Sequence, residues 1–468
     1  MIKINFPKII KKKKKKIKNI AALFLLAPSL LMPTFAESAK ALENNTTKVE
    51  ETAEKKANPQ TFKAPVFSPW ATNDLNEVQF SGLFPAGKFL DGTDFRKEIT
   101  LEDAKSSYSL AKKKLEDRDI KTGGDFEFKN LTRLEVLNSI SKLLNKGEFN
   151  LADLQDAKIF FGSNDEAYLN AKMPLQEMLA LYARTVNNRL QSENKVAKGY
   201  FYEVKNKDNK IYMLGSIHVG KNEMYPIRKE ITDALKESSK IYMEVDLTNP
   251  DATKIMQEAM YYKDDNSLKA DLGDELYAKV VKIFGNLGLK KEAIAKMRPW
   301  AVYNSISIDP TGGAGNSMFG VESYFLSQAL LNGIKVDELE TIELQRDLLA
   351  GIDKDVYITL IKETVDEIEK NGYKNINKSL DEMLEAWIKS DKTYIKNAYK
   401  KDGQDEANSK FNKALVDTRD KGMADKIEKL LNQDGKNTYF VLVGAAHLVP
   451  EDSVTGILKD KGFEVVEK

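Results

Sequence analysis

The chain has 468 residues, two of them histidine and none cysteine, with 42% hydrophobic residues and a formal net charge of +1. That length accommodates two or three domains with ordinary cores, and the lack of cysteine excludes disulfides, thiolate catalysis and lipid attachment through cysteine. The near-neutral balance says little about partners, and nucleic acid is not expected because the one lysine run, Lys11 to Lys16, abuts an apolar stretch and no such basic run recurs. At the N-terminus, Met1 to Lys18 is lysine-rich, and the apolar stretch Ile20 to Met32 that follows is too short to span a bilayer. Small residues around Thr34-Phe35-Ala36 then offer a cleavage site, so residues 1–36 read as a signal peptide, with an uncleaved anchor as the rival, and the protein as exported, to the periplasm or the cell surface. Residues 37–64 hold almost no large apolar side chain and are rich in Glu, Lys, Asn and Thr, the composition of a solvated linker.

Residues 65–191 read as short helices separated by polar turns. Thr132 is placed as the N-cap of one helix with Glu135 as its capping-box partner, and Ile99-Thr100-Leu101-Glu102-Asp103 and Met173-Pro174-Leu175-Gln176-Glu177 open two others in a similar manner. The apolar positions Leu175, Met178, Leu179 and Tyr182 keep helical spacing. This weak internal repeat, with Thr132-Arg133-Leu134-Glu135 as its one intact helix start, resembles S-layer homology repeats. The resemblance implies attachment to cell-wall polymer; a helical spacer is the alternative.

At Lys198 the texture changes to strands alternating with helices, which predicts an α/β fold: a central sheet with strand-GxxH-helix units and a helical insertion, preceded by the small all-α domain. Gly199 to Val204 and Lys210 to Leu214 read as strands paired around Asn206 to Asn209, the second delivering Gly215-Ser216-Ile217-His218. The only other histidine closes the same construction in Tyr439 to His447, an apolar run followed by Gly444-Ala445-Ala446-His447. Either histidine alone reads equally as a satisfied core residue. Glycine three residues ahead of each is expected to let the backbone turn tightly as it leaves the sheet. The apolar strand Lys240 to Leu247 is interrupted by Glu244 and Asp246, and buried strand carboxylates are costly unless they meet a cation or hydrogen-bond donors. Thr311 to Gly315 is glycine-rich but lacks the ending of a phosphate-binding loop. The strand Ile334 to Leu339 ends at Glu340, at the strand end where open α/β sheets collect ligands. Residues 345–431 read as helical, and Arg419 within them reads as one half of a surface ion pair, with a side chain pointing into a site as the alternative.

The runs GSIHVGKNEMYPI, YMEVDL, RPW, GVESYF, DELETIELQ, LEAWIKSD, TRDKGMADKIEKLL and VLVGAAHLVPEDSVTGILKDKGFEV, in this order over residues 198–468, resemble the TraB/GumN family. That family also takes in the pheromone-shutdown proteins and the animal Tiki ectodomains. It is marked by two G-x-x-H motifs and conserved acidic residues, and its animal members are described as metal-dependent proteases. The resemblance implies His218, Glu244 and His447 as ligands of a divalent ion (Mn, Co or Zn), and Glu340, Glu322 and Arg298 as candidates for acid/base and anion-stabilising roles. It implies a peptide or protein substrate. Ser216 stands where the family commonly has threonine, and most members lack the N-terminal helical region. The resulting reading is an exported metal-dependent hydrolase of the peptidase type. Two others stand beside it: a non-catalytic protein that sequesters a peptide or other ligand, and a wall-attached structural protein.

Overall fold

A computed structural model describes residues 63–147, 150–309, 315–399 and 406–468. The expected signal peptide, nearly all of the linker, and Thr311 to Ala314 of the glycine-rich stretch lie outside the described residues.

Six strands form one sheet: β1 Tyr200–Asn206, β2 Asn209–Ser216, β3 Lys240–Met243, β4 Lys335–Glu338, β5 Thr438–Gly444 and β6 Val465–Glu467, in the spatial order β4-β3-β5-β2-β1-β6. The β4, β3, β5 and β2 strands run parallel, whereas β1 is antiparallel to both its neighbours. The apolar content of the strands follows this order. The central strands β5 and β2 are buried along almost their whole length, as continuous hydrophobic runs must be when helices cover both faces. At the edge, β4 is the charged segment Lys335-Val336-Asp337-Glu338 and only half-buried. Because the four parallel strands point the same way, their carboxyl ends at Ser216, Met243, Glu338 and Gly444 lie along one border of the sheet.

Ten of the helices build the two cores around and ahead of this sheet: α1 Thr72–Ser81, α2 Leu101–Glu116, α3 Arg133–Leu143, α4 Leu175–Ser192, α5 Lys229–Glu237, α6 Pro299–Ile306, α7 Val321–Leu331, α8 Lys354–Asn371, α9 Lys374–Lys389 and α10 Thr418–Leu431. The first four pack around a core of their own that includes Leu75, Val78, Tyr108, Val136, Met178 and Tyr182; α5 to α10 enclose the sheet. No helix among the described residues is long and apolar enough to cross a membrane.

The helix starts of the N-terminal region bear out one reading and correct another. Thr100 and Asp103 form a complete capping box at α2. At α3 the Thr132 hydroxyl accepts from the Glu135 N–H at 3.3 Å, but the Glu135 carboxylate reaches past the cap and accepts from the N–H groups of Lys129, Asn130 and Leu131. Pro174 caps α4 without a side-chain bond, and Glu177 turns instead to the Arg133 guanidinium, at 2.7 Å. Isolated β-bridges tie Pro174 to Glu98 and Lys172 to Thr132, so the three helix starts are joined to one another.

Candidate active site

The border of the sheet gathers five of the six residues that the sequence singles out. From β2 the chain continues through Ser216 to His218, and from β5 a single 3-10 turn, Ala445–His447, delivers His447. The two glycines do not serve the turns as expected, since neither has a positive φ. Gly215 serves packing: a Cβ there would meet the Ala445 Cα at 3.0 Å, so glycine eases the close approach of the ends of β2 and β5. Glu244 follows β3 and Glu340 follows β4, with the Glu340 N–H donating to the Glu244 carbonyl at 2.8 Å, which sets the two carboxylates side by side. Glu322 stands in the first turn of α7, whose Val321 N–H donates to the Ile217 carbonyl.

Between the two carboxylates lies Arg419, 4% exposed. Its Nε donates to Glu340 Oε2 at 2.8 Å and its Nη2 to Glu244 Oε2 at 2.6 Å, so the surface ion pair expected of this residue is instead a buried fork. Gln345 adds long contacts to both carboxylates, and the Gly444 N–H donates to Glu244 Oε1 at 2.7 Å. A π-helical turn, Lys413–Asp417, runs directly into α10, and both Arg419 and its neighbour Asp420 are buried. Such turns re-aim side chains and recur at functional sites.

Each histidine is held by a carboxylate at Nδ1. The His218 Nδ1 is 2.8 Å from Glu322 Oε1, which also accepts from the Ser216 hydroxyl, and the His447 Nδ1 is 2.5 Å from Asp420 Oδ1. Both Nε2 atoms, and Glu322 Oε2, are buried with no hydrogen-bond partner among the described residues. The His447 Nε2 is 3.8 Å from Glu244 Oε1.

Charge is distributed to match. Burial alone would push the Glu244 carboxyl up, but Arg419, His447, His218 and the Gly444 N–H bring it down to about 2. Burial opposes charge on His218, yet Glu322 beside it raises its pKa above the ordinary value. Burial raises the Asp420 carboxyl, with His447 acting against the shift. The Arg419 guanidinium, although buried, is raised by its two carboxylates.

Arg298 does not join this group through any described contact. Its guanidinium lies 5.2 Å from the Tyr262 ring centroid, and it lines a separate depression with Glu258 and Arg346. Asp246 faces its own loop, accepting from Thr248. Sequence reading ranked a place in the site below a surface ion pair for Arg419, and missed Asp420.

The sequence model of the TraB/PrgY/gumN family matches residues 200–467, more than half of the chain. This chain belongs to the TraB/PrgY/gumN family. The match begins at β1 and ends in β6, so in this TraB/PrgY/gumN protein the family unit coincides with the sheet and the helices around it. No curated protein and no solved structure gives a match.

A divalent ion, the cofactor that the family resemblance implies, can be tested against these side chains. Two buried imidazoles with unpartnered Nε2 atoms, each oriented from behind by a carboxylate, are the donor type that metal sites use. Among the described residues, however, no three His, Cys, Asp or Glu groups are drawn together as a ligand set, and Glu244 is engaged by Arg419 and Gly444. The donors fit in kind, with Glu244 shared between two demands.

Proposed function

We propose that the chain is an exported metal-dependent hydrolase of the peptidase type, acting on peptides or proteins. One observation carries this reading: the two histidines present unpartnered, buried Nε2 atoms while their Nδ1 atoms are fixed by Glu322 and Asp420. His218, His447 and Glu244 would hold Mn²⁺, Co²⁺ or Zn²⁺, and the bound ion would supply a polarising charge and an acidified water.

The chain's own groups do the rest. Glu322 and Asp420 keep the proton on Nδ1, which leaves Nε2 as the acceptor. Arg419 holds Glu244 ionised and aligns Glu340, the carboxylate that would take a proton from water and return it to a leaving amine. Export rests on the lysine-rich leader, and mass spectrometry of the exported fraction should find residues 1–36 removed; an intact N-terminus there would contradict it.

A ligand-sequestering protein attached to the cell wall is the second reading. It is favoured by the same Arg419 fork, which already engages both carboxylates without any ligand. Incubating the purified mature chain with peptide libraries, with and without chelator, separates the two. Chelator-sensitive cleavage that Glu340→Gln depresses supports the hydrolase, and peptide retained uncut supports sequestration.

A further inference from the structure

The N-terminal helical domain contacts the elements on either side of His218. Along α1, Glu77 and Phe80 are three residues apart and share a face. Phe80 is 5% exposed and belongs to the core of the α/β unit rather than to that of its own domain. Its ring sits edge-on to Tyr225 at 5.0 Å, Tyr324 at 5.0 Å and Phe319 at 6.1 Å. Glu77 Oε1 accepts from the Tyr324 hydroxyl at 2.7 Å and from Gln328 Nε2 at 3.1 Å. Tyr324 and Gln328 are on α7, the helix that carries Glu322 in its first turn.

The same domain grips the other flank of His218. Asn222, four residues beyond the histidine, donates from Nδ2 to the carbonyls of Gln79 at 3.1 Å and Phe80 at 2.7 Å, and its own carbonyl accepts from the buried ammonium of Lys114 on α2. Gly82 closes α1 at φ +69, where a Cβ would meet the Asn222 Cγ at 2.8 Å. Between these grips the backbone is pressed together: a Cβ on Gly320 would meet the His218 carbonyl oxygen at 2.3 Å, and the Tyr225 hydroxyl donates to the Phe319 carbonyl at 2.8 Å. His447 is held differently, by Asp420 on α10 and by β5, elements of the α/β unit alone.

We propose that Glu77 and Phe80 are positioning residues for one half of the site: through Tyr324, Tyr225 and Phe319 they hold α7 and the 218–225 loop together, so that Glu322 stays on His218 and Ser216. The N-terminal domain is then a structural part of the centre and not only a spacer or an anchor. Because the clamp acts on His218 and leaves His447 untouched, disturbing it changes the two histidines unequally. Loss of folding stability as a whole would change both.

The chain's having just two histidines makes this measurable without metal, substrate or activity, so the outcome is independent of whether the site hydrolyses anything. Limited ethoxyformylation of the full mature chain, read by peptide mass spectrometry at His218 and His447, compares wild type with Phe80→Ala, Phe80→Leu and Tyr324→Phe. The expected result is a several-fold faster modification of His218 in Phe80→Ala with the His447 rate unchanged, near-wild-type rates in Phe80→Leu, and a smaller rise confined to His218 in Tyr324→Phe. Equal acceleration of both histidines, or unchanged rates at both, overturns the proposal. Should Phe80→Ala not yield folded protein, Tyr324→Phe decides alone, because it keeps the ring and removes only the hydroxyl that reaches Glu77.

Discussion

Arg419 faces two carboxylates from a position that is 4% exposed, so removing its charge leaves Glu244 and Glu340 buried against each other without a cation. Deleting one partner of a buried ion pair costs about 3–5 kcal/mol, and Arg419→Met is expected to lower stability by that order in urea unfolding. Arg419→Lys should recover only part of it, since a compact ammonium lacks the planar, five-donor geometry with which the guanidinium meets both carboxylates. A loss below about 1 kcal/mol would mean the group is solvated and the fork unimportant. Glu244 adds a pH dependence with a defined sign. Its folded pKa of about 2 lies below the ordinary 4.5, so its contribution is present above pH 4.5 and is lost as the pH falls from 4.5 towards 2. Comparing urea midpoints at about pH 5 and about pH 3, wild type should lose more stability than Glu244→Gln; equal losses would contradict the assigned environment. The histidines and Glu244 were legible in the sequence because a rare residue type or a carboxylate interrupts an apolar strand. Asp420 was not, and Arg419 was legible only as the lesser of two readings, since on a charge-rich helix both look like solvated surface. What buries Arg419 comes from 79 and 175 residues away, at Glu340 and Glu244.

At the scale of elements, α1 carries a second titration. Burial pushes the Glu77 carboxyl up to about 7, with the Tyr324 hydroxyl and Lys236 acting against the shift and Asp74 adding to it. A carboxyl raised from 4.5 to about 7 contributes stability that is fully present below pH 4.5 and is lost as the pH rises through 7. Thermal unfolding of the mature chain at about pH 5 and about pH 8 should therefore show a loss on going up, reduced in Glu77→Gln, which stays neutral. An identical drop in both proteins would place the titration elsewhere. Strand and helix placement was largely readable, because β2 and β5 are continuous apolar runs and α2 opens on a complete capping box. The docking of α1 was not readable. Nothing local to Thr72–Ser81 distinguishes Phe80, which enters the other core, from Leu75 and Val78, which stay in their own.

For the whole molecule, the border near residue 198 separates two cores that the sequence texture already divides, yet Phe80 crosses it. Sequence reading gave the N-terminal region a wall-binding or spacer role, and its composition could not reveal that it also covers Tyr225, Phe319 and Tyr324. Burying one phenylalanine is worth roughly 1.5–3 kcal/mol, so residues 198–468 expressed alone should unfold at lower urea than the same unit in the mature chain. An unchanged midpoint would show that the α/β unit does not rely on its neighbour. Whether His218 and His447 act at one centre is tested directly by isothermal titration of the mature chain with Mn²⁺, Co²⁺ and Zn²⁺. Wild type should bind one ion; His218→Ala and His447→Ala should each lose most of that affinity, and the double variant should resemble either single one, because ligands of one site act as a unit. Metal binding that survives both single substitutions at wild-type strength would contradict the shared centre.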